Sequence, residues 1–370
     1  MRLKERFHRV MNGEAGVRPP QAAFFGPWKQ TLDRWHREGL VGDDWARAAG
    51  FEDGSQHPVP VNAFLCPLLP ETVLAEEGAS RVIRDQHGVV KRVRADDESM
   101  PQFLHHPVQS RADWEQLRPL LSDPRHPERF PSRQHPFVGV DDWDSWRREW
   151  EERDSILFLG MLPCGFFGGL RELMGLETAL TAFYDDPGLV EDVLDTLCDL
   201  WSAFYPRVLR QVRVDFVFIW EDMCYRGGPL ISPATFRRFL LPRYRRMTEA
   251  LRRAGVRNIF VDSDGDVTQL IPLWLEGGVT GVLPFEVASG LDLAGIARQY
   301  PELQMIGGVD KRALAAGPEA IEAELTKLPP LLERGRYIPA VDHGVPPDVS
   351  WDNYRRFAER LGAILEAFGQ

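Results

Sequence analysis

Short apolar runs alternate with longer stretches of helical period through residues 151–370. Runs at Ile156–Gly160, Asp215–Trp220, Asn258–Val261, Val279–Leu283, Leu303–Ile306 and Tyr337–Val341 predict strands. They are apolar on both faces, as strands of a covered parallel sheet are. Between and after them, Glu177–Tyr184, Leu189–Val212, Val267–Leu275, Pro318–Leu332 and Trp351–Phe368 predict helices. A further helix starts at Pro233 behind the N-cap Ser232 and stops near Ala254, before Gly255. Strands alternating with helices through short links imply parallel pairing and right-handed crossovers.

Residues 1–150 have a different texture, rich in Trp, Pro, His and Arg, with little repetition. Six strands in the second half leave two to be supplied upstream for a closed (β/α)8 barrel. Pro60–Leu65 is the candidate for one of them, and the other has no clear place. Residues 72–93 predict polar strands around a hairpin turn at Gln86-His87-Gly88, outside the barrel, and Pro124–Arg133 reads as a loop. The expected architecture is a single-domain α/β (β/α)8 TIM barrel, with 1–150 its elaborated N-terminal part and 151–370 its core. The rival is an open doubly wound sheet. It lacks its dinucleotide fingerprint, since GFFGGL at Gly165–Leu170 is only a weak likeness.

Composition narrows the function. The chain has 370 residues and a formal charge of -11, from 44 basic and 55 acidic side chains. That balance argues against nucleic acid as the main partner. Four scattered cysteines, none in a C-x-x-C pair, read as reduced thiols of a cytoplasmic protein. The charged N-terminus is not a signal peptide, and no apolar stretch is long enough to span a membrane. A homodimer is the default assembly.

Chemistry in a barrel sits on the loops that follow the strands. Glu221 and Asp222 follow Trp220, and Asp262 and Asp264 follow the next run. Glu286, then Asp310 with Lys311 and Arg312, then Asp342 with His343 follow the others. Five successive strands thus end in acids, and the last adds the only histidine beyond residue 135. Converging acids repel one another unless a cation, a proton or a basic group compensates. Two compensations stay open. One is a divalent metal, zinc foremost, on Asp262, Asp264 and His343. The other is a metal-free pocket with Lys311 and Arg312 as counter-charges. Glu221, Asp222, Asp264 and His343 are the candidate catalytic residues, and Trp220, Glu286, Asp310, Lys311 and Arg312 the candidate substrate contacts.

The segment WEDMCYRGGPLISPATFRRFLLPRYRRM resembles a characteristic stretch of the uroporphyrinogen decarboxylase superfamily. VDSDG at 261–265, GGVDKRAL at 307–314 and DHGVPPDVSWDNY at 342–354 follow its pattern in the same order. The resemblance covers about residues 155–365 and implies one barrel fold with two chemistries. One is the metal-independent decarboxylation of a tetrapyrrole. The other is zinc-dependent methyl transfer between small methylated substrates, thiols and corrinoid proteins, which makes a corrinoid-bearing partner an expectation. Two departures weigh against tetrapyrrole chemistry. The stretch at 18–35 lacks the decarboxylases' arginine-rich substrate grip, and 59–71 offers Asn62 where they carry an aspartate. The methyltransferases' His-x-Cys and distant Cys ligands correspond to Asp262, Asp264 and His343. Methyl transfer is therefore the leading expectation, with decarboxylation of a polycarboxylate as the alternative.

Overall fold

The computed structural model describes residues 1–52, 56–94, 97–134, 140 and 142–369. Seven parallel strands form one sheet in chain order. They are β1 (Gln56–Pro58), β2 (Ile156–Leu159), β3 (Phe216–Trp220), β4 (Ile259–Asp262), β5 (Gly281–Leu283), β6 (Gln304–Val309) and β7 (Tyr337–Val341). The six runs expected in 151–370 are all strands of this sheet. β1 replaces the expected Pro60–Leu65. There the chain turns irregular, because the Arg129 guanidinium donates to the carbonyls of Asn62 and Phe64.

The sheet is curled, as its two faces show. Alternate residues of a strand face opposite sides. Ile156, Phe216, Phe260, Leu283, Ile306 and Ile338, one per strand from β2 to β7, gather in one buried cluster on the concave side. The opposite-facing Leu157, Val217, Ile259, Val261, Val282 and Met305 belong to a second, larger core with the surrounding helices. Helix α1 (Leu3–Met11) closes the concave cluster where the strands begin. Its Phe7 packs 5.9 Å from the ring of Phe216, and its Val10 and Met11 carbonyls accept from Arg336 N and Gln304 Nε2. The opposite end, at the strand C-termini, is left for chemistry.

Among the described residues no eighth regular strand lies between β7 and β1. An extended segment spans that gap. Gly26 O accepts from Val345 N at 3.0 Å, Trp28 N donates to Val345 O at 3.1 Å, and Gln56 Nε2 donates to Phe24 O. The expected closed eight-stranded sheet is thus seen as seven strands of a half-barrel with an irregular filler.

Residues 72–105 form a separate antiparallel sheet of Thr72–Glu77, Ser80–Arg84, Val90–Arg94 and Asp97–His105. The expected turn is there, with Asp85 Oδ1 accepting from His87 N and Val89 N at 3.0 Å each. Helix boundaries moved where proline intervenes. The helix expected over 318–332 is two, Pro318–Leu325 and Pro329–Arg334, since Pro329 and Pro330 donate no backbone hydrogen bond. GFFGGL, unassigned by periodicity, opens helix α2 (Phe166–Met174). The helix that runs from Pro233 to Arg253 contains a wider turn at Phe236–Leu240.

Candidate active site

The five acidic strand ends do meet at one end of the sheet, but they divide into two kinds. Some are bound up in holding the loops, and others face the mouth unspent.

Glu221 belongs to the first kind. It is fully buried, and its oxygens accept from Phe166 N at 2.9 Å, Phe167 N at 2.6 Å, Gly168 N at 3.0 Å and the Tyr244 hydroxyl. These amides are the unpaired donors of the first turn of α2, where a carboxylate is favoured. Burial pushes its pKa up to about 7 against the pull of these donors. With four donors on two oxygens, Glu221 has nothing left for a substrate. The approach requires glycine, because a Cβ on Gly168 would lie 2.2 Å from Trp220 O, and one on Gly165 still closer.

Asp342 is also structural. Its carboxylate ties β5 to β6, accepting from Val287 N at 2.9 Å and Lys311 N at 3.0 Å, and burial lifts its pKa to about 6. Asp310 caps the short helix Lys311–Ala316 and is clasped by Arg312. Burial alone would raise its pKa, but the Arg312 hydrogen bonds overcome this and hold it below the usual carboxylate range. Arg312 is largely exposed and occupied by that pairing. Asp222, at φ 40°, is bound by Arg171 Nη1 at 2.5 Å, and the same guanidinium lies 5.7 Å over the Trp220 ring. Arg171 is a site residue that no sequence pattern marked.

Asp262, Asp264, Glu286, Lys311 and His343 make up the second kind. Asp262 ends β4 half-buried, and among the described residues no group donates a hydrogen bond to its carboxyl. Burial first, then the charges of Asp264 and Asp222, raise its pKa well above the ordinary carboxylate value. His343 Nε2 lies 3.3 Å from Asp264 Oδ2, and this bond to Asp264 raises the imidazole pKa. The ring stacks with Phe25 at 6.4 Å, and its buried Nδ1 has no hydrogen-bond partner. Lys311 Nζ sits 3.4 Å from Glu286 Oε1, whose other oxygen accepts from Gly265 N at 3.2 Å.

Of the three expected metal ligands, Asp264 and His343 touch, and Asp262 reaches Asp264 only through charge. Among the described residues no three His, Cys, Asp or Glu side chains converge closely enough to hold a metal ion. The donor chemistry suits a divalent ion, but the side chains as arranged do not make a three-ligand site.

A cleft of about 950 Å³ lies between the antiparallel sheet and α2; Trp220 and Asp222 line it, and Asp262, Asp264, Glu286, Lys311 and His343 do not. Met100, Phe103 and Leu104 line one side, and Arg171, Trp220 and Asp222 the other. Trp28 lies against Gly344 beside His343. Trp35, Trp143 and Trp146 are buried packing anchors. His106 is held by Glu172 O at 2.9 Å. No helix among the described residues is long and apolar enough to cross a membrane.

Comparison with known proteins bears on the fold and the family. A solved methyltransferase from Methanosarcina mazei has the same fold, with a TM-score of 0.60 at 15% identity over 98% of this chain and 99% of that one. A uroporphyrinogen decarboxylase from Nocardia farcinica is 28% identical over 180 residues, 46% of this chain and 48% of the relative. One from Xanthomonas axonopodis is 24% identical over 217 residues, 54% of each chain. The chain thus spans about half the length of these two relatives. A third, from Syntrophotalea carbinolica, is 26% identical over 264 residues, 68% of each. The family model for uroporphyrinogen decarboxylase (URO-D) matches residues 167–363, from α2 through the helix after β7, and the chain belongs to that family.

Proposed function

We propose that the chain is a methyltransferase-type enzyme of this family. It takes a methyl group from a small methylated substrate to a corrinoid or thiol acceptor presented by a partner. One observation carries the reading: among the described residues no group donates a hydrogen bond to the Asp262 carboxyl at the end of β4, and burial, then the charges of Asp264 and Asp222, raise its pKa well above the ordinary carboxylate value. A carboxyl whose pKa is raised in this way is suited to donate a proton, and placed general acids contribute about 10²–10⁴-fold. As the bond from methyl carbon to heteroatom breaks, the methyl passes to the acceptor. The heteroatom keeps the electron pair and takes the Asp262 proton. The Asp264–His343 pair, with its raised imidazole pKa, is the proton source that restores Asp262. Arg171, over Trp220, shapes the cleft through which the substrate enters.

Asp262, Asp264 and His343 are zinc-type donors, but as arranged only Asp264 and His343 touch; elemental analysis of wild type beside His343→Ala tests whether the centre takes up a metal. One equivalent lost in the variant would add a Lewis acid to the centre.

A second reading is favoured by the curated relatives, which are decarboxylases at 24–29% identity. In it the carbon–carboxylate bond breaks, carbon dioxide leaves, and Asp262 protonates the carbon that retains the pair. The deciding assay offers methylated ethers, amines and thioethers with reduced cobalamin, and in parallel uroporphyrinogen and simpler polycarboxylates. Methylcobalamin formation that Asp262→Asn abolishes supports methyl transfer. Carbon dioxide release from the acids, with no methyl transfer, overturns it.

A further inference from the structure

The other end of the sheet holds a second, unrelated cavity. It has a volume of about 880 Å³ and lies where β3 and β4 begin, between α1, the helix Trp143–Glu151 and the end of the helix Pro187–Leu209. Its basic lining is Lys4, His8, Arg147, Arg153, Arg210 and Arg213. Three acids also face it, and one of them is already neutralised. Asp215 is buried and accepts from His8 Nε2 at 2.8 Å, Arg153 Nη2 at 3.0 Å and Leu157 N at 2.7 Å. Arg153 is nine-tenths buried and fixed by Asp215 and the Arg213 carbonyl, so it forms a rigid wall whose charge is offset by that carboxylate. Lys4, Arg210 and Arg213 have no ion-pair partner among the described residues.

In a chain of net charge -11, three unpaired cations around one concavity need an explanation. Most other arginines here are paired: Arg6 with Glu52, Arg243 with Asp195, Arg245 with Glu276, Arg360 with Glu322. Like charges gathered in a low-dielectric cleft focus a positive field and attract anions. Arginine forks match phosphate oxygens in particular. A flat apolar wall stands beside them. Trp150 lines the cavity, with its indole held 5.7 Å from Trp146 in a stack and 4.6 Å from His57 edge-on.

We propose that this cavity binds a phosphorylated ring compound of the nucleotide class, with the ring against Trp150 and the phosphates on Lys4, Arg210 and Arg213. The site is distinct from the catalytic mouth, because every residue that lines it lies at or near the strand N-terminal ends. Nothing in the methyl-transfer reading requires it.

Titration calorimetry with ATP, supported by Trp fluorescence, tests the assignment at about 0.15 M salt, where non-specific attraction is screened. The expected result is saturable binding of ATP, and tripolyphosphate binding at least about tenfold weaker because it has no ring to stack. Arg210 and Arg213 are exposed, so the double variant Arg210→Ala/Arg213→Ala keeps the fold, which circular dichroism checks. It should weaken ATP at least about tenfold, the loss of one to two charge-assisted bonds. Asp262→Asn, at the mouth, should bind ATP as the wild type does. The proposal is overturned by any of three results: no saturable binding at 1 mM ATP (about a thousandfold above a micromolar Kd), affinity unchanged in the double variant, or loss of binding in Asp262→Asn. Equal binding of ATP and tripolyphosphate would overturn it as well, since no ring would then be recognised at Trp150.

Discussion

His343 Nε2 meets Asp264 Oδ2 at 3.3 Å, which joins the end of β7 to the end of β4 across two intervening strands. The contact brings a residue at the end of the chain's last sheet strand to a loop some eighty positions earlier. It also bears on two pKa values. Asp264 raises the imidazole pKa, and its charge adds to the burial that raises the pKa of Asp262.

Asp264→Asn should therefore lower both pKa values. The imidazole resonance of His343, followed by NMR, should titrate at lower pH in the variant than in wild type. The sign for stability follows from the raised folded pKa. The pair's contribution is fully present below the unfolded histidine value of about 6.5 and is lost as pH rises through the higher folded value. The difference in melting temperature between wild type and variant should be largest near pH 5.5 and shrink above the folded pKa. Because both side chains are about a third exposed, the stability behind that difference stays within about 1 kcal/mol. A gap that widens with pH would contradict the pairing.

Glu221 should behave as a positioning residue. Glu221→Gln turns an amide group toward the α2 backbone donors and leaves at least one of them unpaired, at a cost of about 1–3 kcal/mol. Gly168→Ala forces Cβ into Trp220 O and should cost about as much or more. Urea denaturation measures both. A Gln variant with wild-type stability and no turnover would instead place Glu221 in the chemistry.

The strands of residues 151–370 were legible because parallel strands covered on both faces are plain apolar runs. β7 is the clearest case, buried at every residue from Tyr337 to Val341. β1 was not legible, since Gln-His-Pro carries no apolar pattern and owes its place to pairing with β2. The register of acids after the strands was legible for the same reason as the strands themselves. Their division into spent and unspent groups was not. Glu221 and Asp262 look alike in sequence, and only the packing of α2, which Gly165 and Gly168 permit, shows that one is saturated with donors and the other has none. Arg171 stayed hidden because it lies mid-helix, far from any strand end in sequence.

The four cysteines should be inert in the native protein. All are buried, and burial lifts the thiol pKa to about 11 for Cys66 and Cys164 and about 12 for Cys224, with Cys198 also raised. The thiolate is the reactive form, so a thiol-exchange reagent at pH 8 should label none of them within minutes. All four should react after unfolding in guanidinium. Fast native labelling of Cys164 or Cys224, both just past strands, would mark an active-site thiol that this packing does not predict.

Lys311 and Arg312 are neighbours that should part company in kinetics. Lys311 Nζ reaches Glu286 in the mouth, and its charge acts on His343 to lower the imidazole pKa. Arg312 spends its guanidinium on Asp310, two residues back, at the protein surface. Lys311→Ala should leave Glu286 without its cation, raise the His343 pKa further and slow turnover about tenfold, the equivalent of about 1.4 kcal/mol. It should also move the alkaline limb of the pH–rate profile upward. Arg312→Ala should leave kcat and KM within about twofold, as expected for an exposed local pair. Steady-state rates from pH 5 to 9 on both variants check this. A large KM rise in Arg312→Ala would mean that the arginine leaves Asp310 to grip an anionic substrate, which would favour the decarboxylase reading over methyl transfer.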